Sequence, residues 1–481
     1  MNRKTLVSLA FAYVLFISMA YGQIKFYDKQ DSIEYHHYAL ILTKGYKISV
    51  ENGKIKRELV DSSYLDSENF LSFDSAIKLS RAIPKFSYQT HESDKAFTSF
   101  KELLSSNKPD TITKLSLEGN DFERLPIFKV LKCRSLKELE LVGTSIKKIP
   151  RILNWKVFGM DSLRTLSIYN HARGKTIRFK KNDAIEKLVF RDSPYSPVPK
   201  NGHKLTNLKE IDFVRNDFSV ESNYRLEKYK NLEKINLSRN NISIAKLADD
   251  TVRSVRNMIL SFNGLKAVPS EIGYFTNLEV LQLAENDIES YLIHPSLGNL
   301  KKLKTLSFYK NDLDSLPPFI FKLENLVELD LYFNKIEIMP EEIGRLTDLE
   351  RLYIAHNGFY DVPESIGNLR SLKELYIHHN RISYLPETIK ELSSITDFHL
   401  QNNYFQGFPT FILEFKKLED LDISHNAIQT LPPEIVQLEH LKLLWMKGIK
   451  FSASSKDEAE SLQSTLESLQ KRGVKVSIDL E

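Results

Sequence analysis

Between Leu326 and Asn426 the chain repeats itself. The segments Leu326–Asn334, Leu349–Asn357, Leu372–Asn380, Ile395–Asn403 and Leu418–Asn426 share one nine-residue frame, LxxLxLxxN, and their asparagines stand 23 residues apart. A fixed period of this length excludes most architectures, because it marks a solenoid built from one short coil. Within the frame, the apolar pair in L-x-L points one way from a short strand and the intervening residues point the other way. An apolar residue and a proline follow: Leu316-Pro317, Met339-Pro340, Val362-Pro363, Leu385-Pro386, Phe408-Pro409 and Leu431-Pro432. Proline has no N–H to give a sheet, so it belongs on the return segment. Ile-Gly pairs (Ile272-Gly273, Ile343-Gly344, Ile366-Gly367) then turn the chain back. The asparagine amide carries both donors and an acceptor, so it can satisfy backbone groups of its own and neighbouring coils. One coil cannot bury its apolar edge, whereas stacked coils can.

Fifteen such frames run from Ile112, centred on Leu115, Leu139, Leu166, Leu188, Ile211, Ile235, Met258, Leu281, Leu306, Leu329, Leu352, Leu375, Phe398, Leu421 and Leu444. Eleven carry the ladder asparagine: Asn120, Asn216, Asn240, Asn263, Asn286, Asn311, Asn334, Asn357, Asn380, Asn403 and Asn426. Thr144, His171, Ser193 and Ile449 replace it in the others. This pattern resembles the leucine-rich repeat family over residues 111–450. The LPxxIGxL returns look like the Ras-suppressor type, found in plant and animal intracellular scaffolds and in many bacterial proteins. The resemblance implies an α/β fold: a right-handed solenoid (horseshoe) with a parallel concave β-sheet of about 15 repeats. It also implies protein binding through that sheet.

The ends read differently. Residues 1–22 have the form of a secretory signal: Arg3 and Lys4, an apolar run, then Ala20-Tyr21-Gly22. The alternative is an uncleaved anchor, since the uncharged run from Thr5 to Ile24 is just long enough to span a membrane. No other membrane contact is expected. Residues 23–110 form an N-terminal segment and cap. Asn52-Gly53 between alternating apolar residues predicts a hairpin, and Ala96, Phe97, Phe100, Leu103 and Leu104 predict a cap helix ending before Pro109. Residues 451–481 predict a helix-strand cap. Ser455 and Glu458 open the helix, Leu462, Leu466 and Leu469 form its stripe, Gly473 stops it, and the alternating residues from Val474 to Leu480 join the parallel sheet.

Composition narrows the function. The 481 residues carry 67 basic and 63 acidic side chains, a balance without the basic footprint of a nucleic-acid binder. Cys133 is the single cysteine, so the chain has no internal disulfide framework. There is no phosphate loop and no GxSxG. Ser424 neighbours Gln401 rather than His399, so His399, Asp422 and Ser424 do not form a triad. No enzyme activity and no cofactor are expected.

The third, fifth, seventh and eighth frame positions are expected to face water on the sheet. Equal positions of adjacent coils touch there, because strands lie about 4.8 Å apart. Down the later coils, these columns collect Tyr309, Tyr332, Phe333, Tyr353, His356, Tyr376, His378, His379, His399, Asp422, His425 and Trp445. Exposed aromatics on a sheet are candidate binding hot spots, and a patch of them implies a partner. The plainer explanation is the β-propensity of tyrosine. Imidazole beside carboxylate suits zinc, but no HxxxH or CxxC spacing accompanies it, so no metal is expected. Clustered histidines could also sense pH. The earlier columns mix Glu138, Glu140, Glu210 and Asp212 with Lys187, Arg191, Arg215, Lys234 and Arg239, as a solvated face does. The sequence therefore describes an exported monomer, secreted, periplasmic or cell-surface and of bacterial type, that binds another protein. The alternatives are a carbohydrate-binding surface protein, because Tyr, Trp and His also stack on sugars, and a spacer without a ligand.

Overall fold

A computed structural model of the chain describes residues 46–51, 54–59, 98–118, 127–143, 162–171, 177–179, 181–193, 198–216, 218, 221–452 and 455–478. The expected leader at residues 1–22 and the ladder positions Asn120 and Thr144 lie outside the described residues. Two compact units, Met1–Ala96 and Phe97–Glu481, divide the chain. In the first, β1 (Tyr46–Glu51) and β2 (Lys54–Leu59) pair antiparallel, with Glu51 opposite Lys54, as the arms of the expected hairpin do; its expected turn residues lie outside the described residues.

The second unit is a solenoid with one parallel sheet of 17 strands among the described residues. It begins at β3 (Thr98–Ser99), continues from β4 (Lys114–Glu118) to β18 (Leu443–Met446) and ends at β19 (Lys475–Ile478). Each strand pairs with the next in sequence. All fifteen frame centres lie in strands, and each stands opposite the next: Leu329 faces Leu352, Leu352 faces Leu375, and Leu375 faces Phe398. The apolar frame positions form the core, with Leu326, Leu329 and Leu331 all fully buried. Each such leucine contributes roughly 1.5–3 kcal/mol by leaving water.

Hydrogen bonds between coils fix this stacking. Asn380 Nδ2 donates to the Ile354 carbonyl of the preceding coil (3.1 Å) and to Ile377 of its own (2.8 Å), while its Oδ1 accepts from the Phe359 amide at 3.1 Å. Asn311, Asn334, Asn357, Asn403 and Asn426 repeat the same bonds, one coil apart. Ser193 substitutes in part, its hydroxyl accepting from the His171 amide at 2.9 Å. A second series escapes the frame reading. Asn207, Asn231, Asn277 and Asn325, just before their strands, donate to carbonyls of Asp183, Thr206, Arg253 and Lys301 in the coil before.

Among the described residues, the residue before each ladder position is left-handed. From Gly143 through Gly448, fourteen successive coils place φ between 50° and 66° there, and most of these residues are not glycine (Phe333 54°, His356 51°, His379 51°). The eighth-position amide still pairs with the next coil, as Phe333 N does with the Ala355 carbonyl at 3.1 Å. The left-handed step then swings the asparagine side chain inward.

On the return side, short 3-10 turns such as Glu341–Arg345 and Glu364–Asn368 follow the prolines. The Ile-Gly pairs Ile343-Gly344 and Ile366-Gly367 lie within these turns. They permit close approach: a Cβ at Gly344 would stand 2.8 Å from the Ser365 carbonyl oxygen of the next coil, and one at Gly367 would stand 2.5 Å from that of Thr388.

The ends are capped by helices. The N-terminal helix α1 (Phe100–Ser105) starts later than the expected Ala96, because Thr98 and Ser99 join the sheet and Ser99 forms a capping box with Glu102. At the other end, α3 (Lys456–Lys471), third after the short α2 (Ile127–Val130), begins where Ser455 Oγ accepts from the Glu458 amide. It buries Leu469 and leads through Gly473 (φ 87°) into β19, parallel to β18, as the sequence predicts.

Two predictions follow from the ladder. Asn380→Ala takes the acceptor from the buried Phe359 amide and one of two donors from the Ile354 carbonyl, which keeps Asn357 Nδ2 at 3.1 Å, and should destabilise the chain by roughly 1–3 kcal/mol. A urea midpoint unchanged from wild type would refute this role. At the left-handed Asn402, a β-branched valine should cost about 1–2 kcal/mol, whereas Asn402→Gly should leave the melting temperature nearly unchanged. Equal behaviour of the two variants would contradict the geometry.

Candidate functional site

The sheet face does not present all its columns to water. Of the twelve expected site residues, Tyr332, Tyr376, His378, His399 and Asp422 are buried, with relative exposures of 2–8%. Tyr309, Phe333, Tyr353, His356 and Trp445 are half-buried, and His379 and His425 are exposed. The expectation of a uniformly water-facing column is corrected for the five buried residues. The cause is lateral packing: strands in hydrogen-bonding register bring equal positions into ring contact, so each ring covers its neighbour.

Two stacks result. In the fifth column, Tyr353 lies on Tyr376 with centroids 5.0 Å apart, and Tyr376 lies on His399 at 4.4 Å. In the eighth column, Phe333 stacks on His356 at 4.1 Å and His356 on His379 at 4.0 Å. The left-handed backbone tilts these eighth-position rings over the seventh column. Tyr332 is thus roofed by Phe333 (4.9 Å) and His356 (5.2 Å), and His378 is flanked by His356 and His379. Tyr309 extends the patch, 5.7 Å from Phe333. Beneath the roof, Tyr332 Oη and His378 Nε2 share a 2.5 Å hydrogen bond across two coils. At the far end, His425 covers Gly448, where any side chain would collide with the imidazole.

Carboxylates border the rings. Tyr353 Oη donates to Glu374 at 2.6 Å, Trp445 Nε1 donates to Asp420 at 3.1 Å, and His399 Nε2 stands 3.4 Å from the other Asp420 oxygen. Burial first, then Glu374, push the Tyr353 hydroxyl well above the ordinary phenol range. Asp422 accepts from the Ser424 amide at 2.9 Å and is a framework group. The third-column carboxylates Glu374, Asp397 and Asp420 were not among the expected site residues. Nor were Tyr360, Tyr384 and Tyr404, exposed on the segments after the ladder. Aromatic counting along the columns passes over both sets. Among the described residues, no group of three or more histidine, cysteine or acidic side chains could hold a metal ion.

Asp330 lies under the same face, accepting from the Ser307 hydroxyl (2.8 Å) and the Tyr332 amide (3.1 Å). Burial pushes its carboxyl up to about 7. The folded chain therefore holds this proton more tightly than the unfolded one, which titrates near 4. The resulting stabilisation is present below pH 4 and is lost as pH rises toward 7. Asp330→Asn should flatten the fall in melting temperature between pH 4 and 7. An identical pH profile in the variant would show that the carboxyl is not held in this way.

Comparison with known proteins was made on sequence and on fold. A family model described as a leucine-rich repeat region matches residues 251–399, and one described as a leucine rich repeat matches residues 417–438. The volume-regulated anion channel subunit LRRC8D of Rattus norvegicus is 28% identical over 221 residues, covering 44% of this chain and 22% of that protein. The chain thus spans about a fifth of the length of the curated relatives it matches. The structure of a leucine-rich repeat protein of Leptospira interrogans is similar over 80% of this chain and 100% of that one, with 26% identity and a TM-score of 0.61. A structure of the Toll–Spätzle complex of Drosophila is similar in fold, with a TM-score of 0.52 at 18% identity over 74% of this chain and 45% of that one. No helix among the described residues is long and apolar enough to cross a membrane.

Proposed function

Because the chain belongs to the leucine-rich repeat family, we propose that it is an exported binding protein that docks another protein on the sheet face of its later coils. The observation that carries this reading is the ring patch: Tyr309, Phe333, Tyr353, His356, His379, His425 and Trp445 remain accessible above a base of rings that are already packed. Rings held in this way lose little freedom on binding, so more of their contact energy appears as affinity. The packing favours a protein over a sugar. Sugar platforms offer free ring faces, but here the faces of Phe333, His356 and His379 lie on one another. A pure spacer would have no use for such a patch. The Toll–Spätzle complex offers a parallel, a repeat protein of similar fold in complex with a partner. Export rests on the signal-like residues 1–22, and a bacterial setting is suggested by the Leptospira interrogans protein. The protein acts as a monomer, without catalysis, cofactor or nucleic acid.

The test is capture of a partner from the native extract on immobilised chain, followed by an affinity measurement. Phe333→Ala, His356→Ala and His379→Ala combined should weaken the captured complex at least about tenfold, or roughly 1.4 kcal/mol, while the chain, though less stable for the lost ring contacts, keeps the wild-type circular dichroism spectrum at the assay temperature. Unchanged affinity in the triple variant would move the site off this face.

A further inference from the structure

The charged columns beside the rings carry information about the partner. Along the third frame position, most charges are neutralised within the sheet. Lys114 pairs with Glu138 (3.2 Å), Lys187 with Glu210 (2.7 Å) and Arg351 with Glu328 (2.7 Å). The second position behaves likewise, with Lys373 on Glu350 (2.9 Å) and Lys442 on Glu419 (2.7 Å). The pattern breaks at three successive coils. Glu374 stands in register with Asp397, and Asp397 with Asp420. Among the described residues no lysine or arginine forms a direct ion pair with the three, although Arg351, bound to Glu328, stands in register with Glu374 and feels its charge. Their contacts are a tyrosine hydroxyl on Glu374, the Thr396 hydroxyl on Asp397, and the Trp445 indole and His399 ring on Asp420.

Three carboxylates at strand spacing repel one another. Burial, and then the flanking Glu374 and Asp420, hold the Asp397 carboxyl above its ordinary range. The one cation in register with the column, Arg351 beside Glu374, is held by Glu328 at 2.7 Å, so three carboxylates share at most part of one positive charge and leave room for cations from a partner. The column is flanked by the half-buried rings of Tyr353 and Trp445. Aromatic rings beside carboxylates suit guanidinium and ammonium groups, which take charge-assisted hydrogen bonds from the acids and cation–π contact from the rings.

We propose that the partner docked on this face presents an extended basic segment whose arginine or lysine side chains lie along Glu374, Asp397 and Asp420, between Tyr353 and Trp445. This rests on the protein-binding reading above and gives the partner its chemistry. The acidic column supplies steering and register, and the ring patch supplies the apolar anchor. Such a contact weakens with added salt, because partly exposed charges are screened.

The test uses the full chain and a synthetic dodecapeptide alternating arginine and serine, titrated calorimetrically at low ionic strength. Its counterpart, alternating glutamate and serine, is the charge control. The wild-type chain should bind the arginine peptide and not the glutamate peptide. Glu374→Gln, Asp397→Asn and Asp420→Asn combined should weaken the arginine peptide at least about tenfold. A second triple variant on the return segments, Glu341→Gln, Glu342→Gln and Glu364→Gln, should stay within about twofold of wild type. The site substitutions preserve shape and remove repulsion, so the chain should melt at or above the wild-type temperature, and Asp397→Asn alone serves as a milder variant. No binding to wild type, or equal losses in the two triple variants, would overturn the inference. The native partner separates the two claims. If the Phe333/His356/His379 variant loses it and the carboxylate variant retains it, protein docking stands and the basic segment falls. If neither variant loses it, both fall.

Discussion

The ladder asparagine and the left-handed residue before it are the interaction on which everything else depends. A parallel sheet of three-residue strands has too few bonds of its own to hold its register. Asparagine extends the contact beyond the strand by joining a carbonyl and an amide of the preceding coil. It can do so only because the backbone has turned into the left-handed region one residue earlier. That step carries a steric cost at Phe333, His356 or Arg239 that glycine would not bear. The cost recurs coil after coil and is offset by satisfying buried polar groups that would otherwise be stranded.

The sheet face inherits its chemistry from this geometry. Fixed register places like positions next to one another, so a run of aromatics in sequence becomes a stack of rings in space. The left-handed residue then lays the eighth-position ring over the seventh position. Tyr332 and His378 become a buried, hydrogen-bonded base, and Phe333, His356 and His379 become the surface that a partner would meet. The same register turns charges into ion pairs where signs alternate and into an unneutralised column where they do not.

Much of this was legible in the residues. Periodicity identified all fifteen strand centres, the described ladder asparagines, the pairing of β1 with β2 and the helix-strand cap, because each depends on local spacing or capping chemistry. The start of the first cap helix was misplaced, since pairing of Thr98 and Ser99 with β4 outweighs helical spacing. The close approach at Gly344 and Gly367 was not legible, since it depends on the backbone of the next coil.

The sequence by itself determined which residues share a column and that those columns build a leucine-rich repeat solenoid, because a period of 23 residues leaves no other way to bury the apolar frame. Tertiary structure alone decided which members of a column meet water. Tyr332 and Phe333 are adjacent and both aromatic, yet one is buried and the other is partly open, because only the second occupies the left-handed step. Exposure here depends on backbone handedness and on the ring in the neighbouring coil, and neither is written in the residue itself.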